Sequence, residues 1–593
     1  MRQQLKELRQ VMADRGVGLC LIPSPDYHAS EYVGSFFKSR AYVSGFTGSA
    51  GTLVVKPDWA GLWTDGRYFL QAAQQLEGSG IELCKMGEKD VPTVEEYLIR
   101  EMKSGLRLAF DGRVVSAGEW KRLKAAADKA GAELVTDCDL PGEIWADRPA
   151  LSAEPVFELP AELVGESRAE KLARVREKVQ AEGADALVMS SLADICWLTN
   201  LRGGDVACTP VVLSFLALTA EEALLFINPD TVSAEIRAGL EADGVSLRPY
   251  GGIYDYVRGL SAGKKLMMDL RRVNSLLLSS VPEGVEVLDR RDPTELMKAV
   301  KNPTEVRNMR AAHVKDGVAV TRLMRWLKRE VGKTPMDEIS VAEKLESLRR
   351  EQEGYLMPSF EPIIGYGPHG AIVHYSATRE SCAALEPRSL LLADTGGHYL
   401  EGTTDITRTF ALGPLTDEEK RMFTLVLKGH LRLGAAKFRY GCTGLNLDYL
   451  AHSPLWDEGL DYNHGTGHGV GYILSVHEGP QGFRWKQLGD APQVLEPGMI
   501  TSDEPGFYLE GKFGVRHESL TVVAEAETNA YGRFLYLDWL TMVPFDLDAV
   551  VPELLNEDER RTLNAYHARV RETLLPLMPE EEREWLVQAT RKV

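Results

Sequence analysis

Two acidic hairpins constrain this chain more than any other feature of its sequence. LLLADTGGHYLEGTTDITRTF (390–410) and MITSDEPGFYLEGKFGVRHESLTVV (499–523) each read as strand, turn, strand. Asp394 and Asp405 lie on the two arms of the first, and Glu504 and Glu518 on the two arms of the second. Their neighbours are apolar, and a buried carboxylate is too costly without a compensating charge. Two facing hairpins that gather four carboxylates around one point therefore call for cations.

Between the hairpins lies the glycine-rich run HGTGHGVG (464–471). His464 and His468 stand four apart, the spacing of a zinc-binding helix, but Gly465 occupies the position where HExxH requires Glu. Gly465, Gly467, Gly469 and Gly471 also forbid a stable helix. An extended segment is expected, with glycines letting backbone approach the site. His468 then joins the carboxylates. Four carboxylates carry −4 and two divalent ions carry +4, so two metals leave the shell neutral where one would leave excess buried charge. A shell of hard oxygen with a single imidazole suits manganese or magnesium better than a thiolate-loving ion, with zinc and cobalt left open.

Metals that polarise a carbonyl still need donors where the oxyanion develops. His374, closing GPHGAIVHYSAT (367–378), His477, closing GYILSVHEGP (471–480), and His464 are the candidates. His369, His398 and His517 are weaker ones. His517 adjoins Glu518, so on a strand its side chain points the opposite way.

The 593 residues exceed what one core can organise. The first half repeats one element order. LKELRQVMADRGVG leads into the strand-like LCLIPS (19–24), and KLARVREKVQAEGAD (171–185) leads into ALVMSS (186–191). Each unit then reaches an aromatic strand and a glycine turn, YVSGFTGSAG (42–51) and WLTNLRGG (197–204), before further strands. Alternating strands and helices make each unit an α/β domain, and the Pro-punctuated stretch 141–160 links them. At KNPTEVRNMR (301–310), Asn302 caps a helix, Pro303 takes its first position and Glu305 completes a capping box. The expected domains are 1–150 and 151–301, both α/β, a helix-and-hairpin domain over 302–546 that holds every candidate ligand, and a charged helical extension over 547–593.

A net charge of −19 argues against a nucleic-acid partner, which needs a basic face. No apolar run reaches membrane-spanning length, and MRQQLKELRQVMADRGVG reads as an amphipathic helix rather than a signal peptide. Seven scattered cysteines without a CxxC pair suit reduced thiols. A cytoplasmic location is the expectation.

The ordered set Asp394, Asp405, His468, Glu504, Glu518 resembles the pita-bread metallopeptidases. The match tightens on HYSA (374–377), DTGGHY (394–399), GTTDITRTF (402–410), HGTGHGVGYILSVHEGP (464–480), TSDEPGFY (501–508) and GVRHES (514–519). SEYVGSFFKSRAYVSGFTGSAGTLVV (30–55), WTDGRYFLQAA (63–73) and WLTNLRGGDV (197–206) extend it to the long, three-domain aminopeptidase P group. The resemblance implies two creatinase N-terminal-like α/β domains before a pita-bread catalytic domain. It implies that Asp394 chelates one metal, that His468 and Glu504 bind the other, and that Asp405 and Glu518 bridge them. A hydroxide held between the metals would attack the carbonyl of the first residue of a Xaa-Pro peptide. Glu504 would be the general base, with His374 and His477 binding substrate and stabilising the tetrahedral intermediate. His464 would support the site on the proline side, and Arg67 would reach the peptide beyond it. A homodimer and manganese are the implied assembly and cofactor. A prolidase, which cleaves Xaa-Pro dipeptides only, is the same-fold competitor. A non-catalytic peptide-binding module is the competitor of another class, opposed by the presence of all five ligands.

Overall fold

The repeated element order of the first half folds into two six-stranded sheets of one design. The first runs Glu82–Lys85, Ala60–Thr64, Thr52–Val55, Leu19–Ile22, Arg107–Ala109, Glu133–Val135. The second runs Val245–Pro249, Ala223–Ile227, Ser214–Thr219, Ala186–Met189, Lys265–Met268, Glu286–Asp289. Pairing sense matches strand for strand: two antiparallel pairs at the centre and parallel pairs elsewhere. The structure, a computed structural model, describes residues 1–487 and 491–593. Residues Met1–Leu159 with Glu166–Thr294 form one compact unit, and Pro160–Gly165 with Glu295–Val593 another.

The aromatic segments expected as strands are helices in both halves, Ser39–Ser44 and Leu192–Thr199. Each stops at a left-handed residue, Gly45 in one and Asn200 in the other, which ends a helix by turning the chain. The second helix is buried from Asp194 to Thr199. An apolar run without polar alternation gives no period to separate short helix from strand.

In the second unit the helix Pro303–Glu330 starts as its sequence requires. Asn302 accepts from the amides of Thr304 and Glu305, and the Glu305 carboxylate accepts from the Asn302 amide in return. Its Val320, Leu323, Met324 and Leu327 pack on Leu391, Ala393, Ile406 and Phe410, which lie on the strands Leu390–Thr395 and Ile406–Ala411. The helix Asp417–Gly434 serves the other hairpin in the same way, with Phe423, Leu427 and Leu431 in one core with Phe513 and Val515. Leu563, Tyr566, Val570 and Leu586, from the helices Glu557–Leu574 and Glu580–Ala589, join that core. The charged C-terminal extension therefore packs on its own chain. Among the described residues no helix is long and apolar enough to cross a membrane, and all seven cysteines are free.

Candidate metal centre

Each acidic hairpin is interrupted, and the carboxylates lie at the interruptions. In the first, pairing of Leu390–Thr395 with Ile406–Ala411 ends at Asp394↔Thr407 and Thr395↔Ile406. It resumes in a different sheet between Gly397–Tyr399 and Gly402–Thr403. In the second, Ile500–Asp503 pairs with Ser519–Asn529 and Gly506–Leu509 pairs with Phe513–Arg516. Glu504 and Glu518 fall in the gaps between these strands. A break in the ladder turns successive side chains out of strict alternation, which lets both arms aim a carboxylate inward.

The glycine run is extended where it matters: Gly467–His468 pairs with Gly482–Phe483. A Cβ on Gly467 would stand 2.0 Å from the Ser502 carbonyl, so only glycine allows this approach to the second hairpin. The His468 amide donates to Ser502 Oγ at 2.9 Å, and Glu504 N donates to Thr466 O at 2.8 Å. His468 Nδ1 donates to the Gly469 carbonyl at 2.9 Å. A carbonyl can only accept, so Nδ1 carries the proton and Nε2 is left to face the carboxylates.

His468 Nε2 is 3.5 Å from Asp405 Oδ2 and 3.4 Å from Glu504 Oε1. Asp405, His468 and Glu518 each offer a ligand atom within 4.8 Å of the others'. Glu518 receives one hydrogen bond, from Thr407 Oγ1 at 2.8 Å. Its Oε1 and Asp394 Oδ1 are buried with no hydrogen-bond partner among the described residues. Orphaned buried carboxylate oxygens beside an imidazole nitrogen fit divalent cations, which supply the missing charge and the missing partners together. Burial pushes the Asp394 carboxyl up to about 6, and Asp405 adds to this against the pull of the Arg516 guanidinium. Burial, with Asp405, Glu504 and Asp394 as like charges, drives Glu518 well above the usual carboxylate range. Burial alone would lower His468, but the hydrogen bond its protonated ring gives to Asp405 and the charges of Glu504 and Asp405 carry it up to about 9.

The structure gathers Asp394, Asp405, His468, Glu504, Glu518, His464 and His477 into this region. The His477 ring meets the His468 ring edge-on, centroids 4.4 Å apart. His374 lies in a turn rather than a strand, and Arg516 reaches the carbonyl of its neighbour Val373 at 3.5 Å. His464 Nδ1 donates to Gly465 O at 2.9 Å, and its Nε2 accepts from the Tyr508 hydroxyl at 2.8 Å. Burial holds this imidazole near 4 and therefore neutral. The weaker histidines have structural partners. His369 bonds the Glu338 carboxylate at 2.9 Å, His398 bonds Thr403 Oγ1 at 3.0 Å, and His517 is wedged on Phe423 and Phe545. Arg67 lies in the other unit, its guanidinium forked onto Asp65 at 2.8 and 2.9 Å.

Sequence reasoning passed over Arg516. Its guanidinium is buried, donates to Asp394 Oδ2 at 2.6 Å and to the Tyr508 hydroxyl at 2.8 Å, and so links a carboxylate of the centre to His464. The available signal was its place two residues before Glu518, the same-face interval of a strand.

Residues 307–525 match the model of metallopeptidase family M24, and residues 533–593 match its C-terminal region. Residues 4–148 and 147–305 each match a creatinase/prolidase N-terminal domain. A probable Xaa-Pro aminopeptidase P of Paracoccidioides brasiliensis is 37% identical, over 100% of this chain and 99% of its own. The crystal structure of the X-prolyl aminopeptidase of Caenorhabditis elegans, a cytosolic enzyme with a di-nuclear active site, superposes with a TM-score of 0.94. It is 34% identical, over 100% of this chain and 99% of that one. A Xaa-Pro dipeptidase of Bacillus anthracis shares the fold over 64% of this chain and 99% of its own, with a TM-score of 0.51 and 24% identity. Two creatinase-type N-terminal domains, an M24 domain with its C-terminal region, and more than a third identity over the whole length make this chain a member of the Xaa-Pro aminopeptidase P family of M24 metallopeptidases.

Proposed function

We propose that this chain releases the N-terminal residue from peptides with proline in second position, using two divalent metals. The observation that carries the reading is the gathering of Asp405, Glu504 and Glu518 about His468, with the Glu518 Oε1 and Asp394 Oδ1 oxygens buried and without a hydrogen-bond partner among the described residues. Asp394 would hold one ion, His468 and Glu504 the other, and Asp405 and Glu518 would bridge them. Bound there, the ions supply an activated water and Lewis-acid polarisation of the scissile carbonyl. Manganese suits a shell of hard oxygen with one imidazole.

The chain's own residues do the rest. Glu504 takes the proton of the attacking water and delivers it to the proline nitrogen as the C–N bond breaks. His374 and His477 donate to the oxygen that becomes negative. A tertiary amide has no N–H, so recognition must fall on the proline ring and on the carbonyl beyond it. His464 spends its N–H on Gly465 and its lone pair on Tyr508, so it contributes its ring face and holds Tyr508 in place. Arg67 would meet the peptide beyond the proline. The domain limits in this reading are 1–150, 151–301, 302–546 and 547–593. A homodimer in the cytoplasm is the setting proposed for it.

Rates on Arg-Pro-Pro and on Gly-Pro, with and without added Mn2+, test the reading. Metal-dependent release of Arg from the tripeptide, faster than any cleavage of the dipeptide, is expected. Cleavage confined to the dipeptide would make the chain a prolidase. Full activity in rigorously metal-free protein would overturn the two-metal centre.

A further inference from the structure

The first acidic hairpin is gripped at its interruption by a buried ion pair. Asp316, on the helix Pro303–Glu330, and Arg349, on the helix Glu338–Arg350, are 0% and 3% exposed. Arg349 donates to Asp316 twice, Nε to Oδ1 at 2.7 Å and Nη2 to Oδ2 at 3.1 Å. The remaining capacity of the pair is directed to the hairpin. Arg349 Nη1 donates to Gly396 O at 2.9 Å and Nη2 to Thr395 Oγ1 at 3.1 Å. Asp316 accepts from Thr404 Oγ1 at 2.5 Å and from the Tyr399 hydroxyl at 3.0 Å. Thr395 directly follows Asp394, and Thr404 directly precedes Asp405. The pair thus holds the residue next to each carboxylate, on both arms, at the point where the ladder no longer does.

The arms are also closed on each other there. Gly397 N donates to Thr404 Oγ1 at 2.9 Å, and Ser359 Oγ donates to Thr404 O at 2.8 Å. A Cβ on Gly396 would stand 2.1 Å from both Ser359 Oγ and Thr404 O, so the crossing admits glycine only. A buried ion pair is a poor stabiliser, because desolvation offsets its attraction and an apolar pair of equal volume often serves stability as well or better. Holding a geometry is what remains for it to do.

We propose that Asp316 and Arg349 are positioning residues that set the separation of Asp394 and Asp405, and that they govern chiefly the metal held by Asp394. This rests on the two-metal reading. In that reading one ion takes two of its ligands, Asp394 and the shared Asp405, from this hairpin, whereas the other takes only Asp405 and keeps His468, Glu504 and Glu518. Loosening the first hairpin therefore takes more affinity from the ion held by Asp394 than from the other.

The test titrates Mn2+ into the metal-free full-length protein by isothermal calorimetry, with melting curves of the metal-free forms alongside. Asp316→Asn leaves Arg349 buried and unpaired and can fail to fold. The double variant Asp316→Leu/Arg349→Met removes both charges together, and Thr404→Val removes one contact only. Wild type should take up two ions. The double variant should bind one ion about 10–100-fold more weakly, the usual cost of losing a partner behind a metal ligand, and lose distinctly less at the other. Thr404→Val should show the same uneven loss to a smaller degree. Wild-type affinity for both ions in both variants would overturn the proposal, and so would an equal loss at both sites accompanied by a lower metal-free melting temperature. Fewer than two ions in the wild type would overturn the two-metal reading itself, and this inference with it.

Discussion

Metal removal should destabilise this protein in a way that depends on pH, and the sign follows from two upward shifts. Without metal the folded protein holds a proton on Asp394 up to about pH 6 and on His468 up to about pH 9. The ordinary values are 3.8 and 6.5. Both groups are raised, so the stability each contributes is complete below its ordinary value and lost as pH rises through its folded value. The metal-free protein therefore weakens as pH climbs toward and past 6, and again toward 9. A bound cation displaces both protons, so its apparent affinity rises with pH over the same range. Between pH 5 and pH 7.5, releasing the His468 proton becomes easier by about 2.5 pH units and the Asp394 proton by about 1, a combined factor of about three thousand, or about 5 kcal/mol. For the unit that carries the site this is on the order of 8 °C in melting temperature. Differential scanning fluorimetry of metal-free and Mn2+-saturated protein at the two pH values measures it. Coincident curves with and without Mn2+ at pH 7.5 would refute the buried, proton-loaded centre, and so would a larger metal increment at pH 5.

Three further outcomes follow from the same geometry. Glu504→Gln and Asp405→Asn should abolish turnover while far-ultraviolet circular dichroism stays near wild type, since each keeps the shape of the side chain. Arg516→Met strands Asp394 without its guanidinium and should destabilise the metal-free protein by about 3–5 kcal/mol, a deficit that added Mn2+ should largely restore in a denaturant titration. Arg67→Ala should slow cleavage of tripeptides and longer chains more than that of dipeptide-like substrates, by kcat/KM; equal effects on both would make the Asp65–Arg67 fork a local structural pair.

The sequence by itself determined which carboxylates and which imidazole stand out as candidate ligands, and that the carboxylates belong to two hairpins. Asp394, Asp405, Glu504 and Glu518 were legible because acidic residues amid apolar strand residues have few physical explanations. His468 was legible because glycines on both sides exclude a helix. The start of the helix at Pro303 was legible because caps are local chemistry, and so was the repeated element order of the first half. Tertiary structure alone decided the rest. The short helices Ser39–Ser44 and Leu192–Thr199 look like strands because neither is long enough to show a helical period, and the second is also buried almost throughout. His374, His477 and His464 could be named as candidates, but only the fold assigns His464 its bond to Tyr508. Arg516 and the Asp316–Arg349 pair act on Asp394 and Asp405 from 122 and from 33 residues' separation between partners. No local pattern encodes a contact of that span. It exists only once the helices have packed behind the hairpins and removed water, since that is what makes an unpaired charge too costly to leave in place.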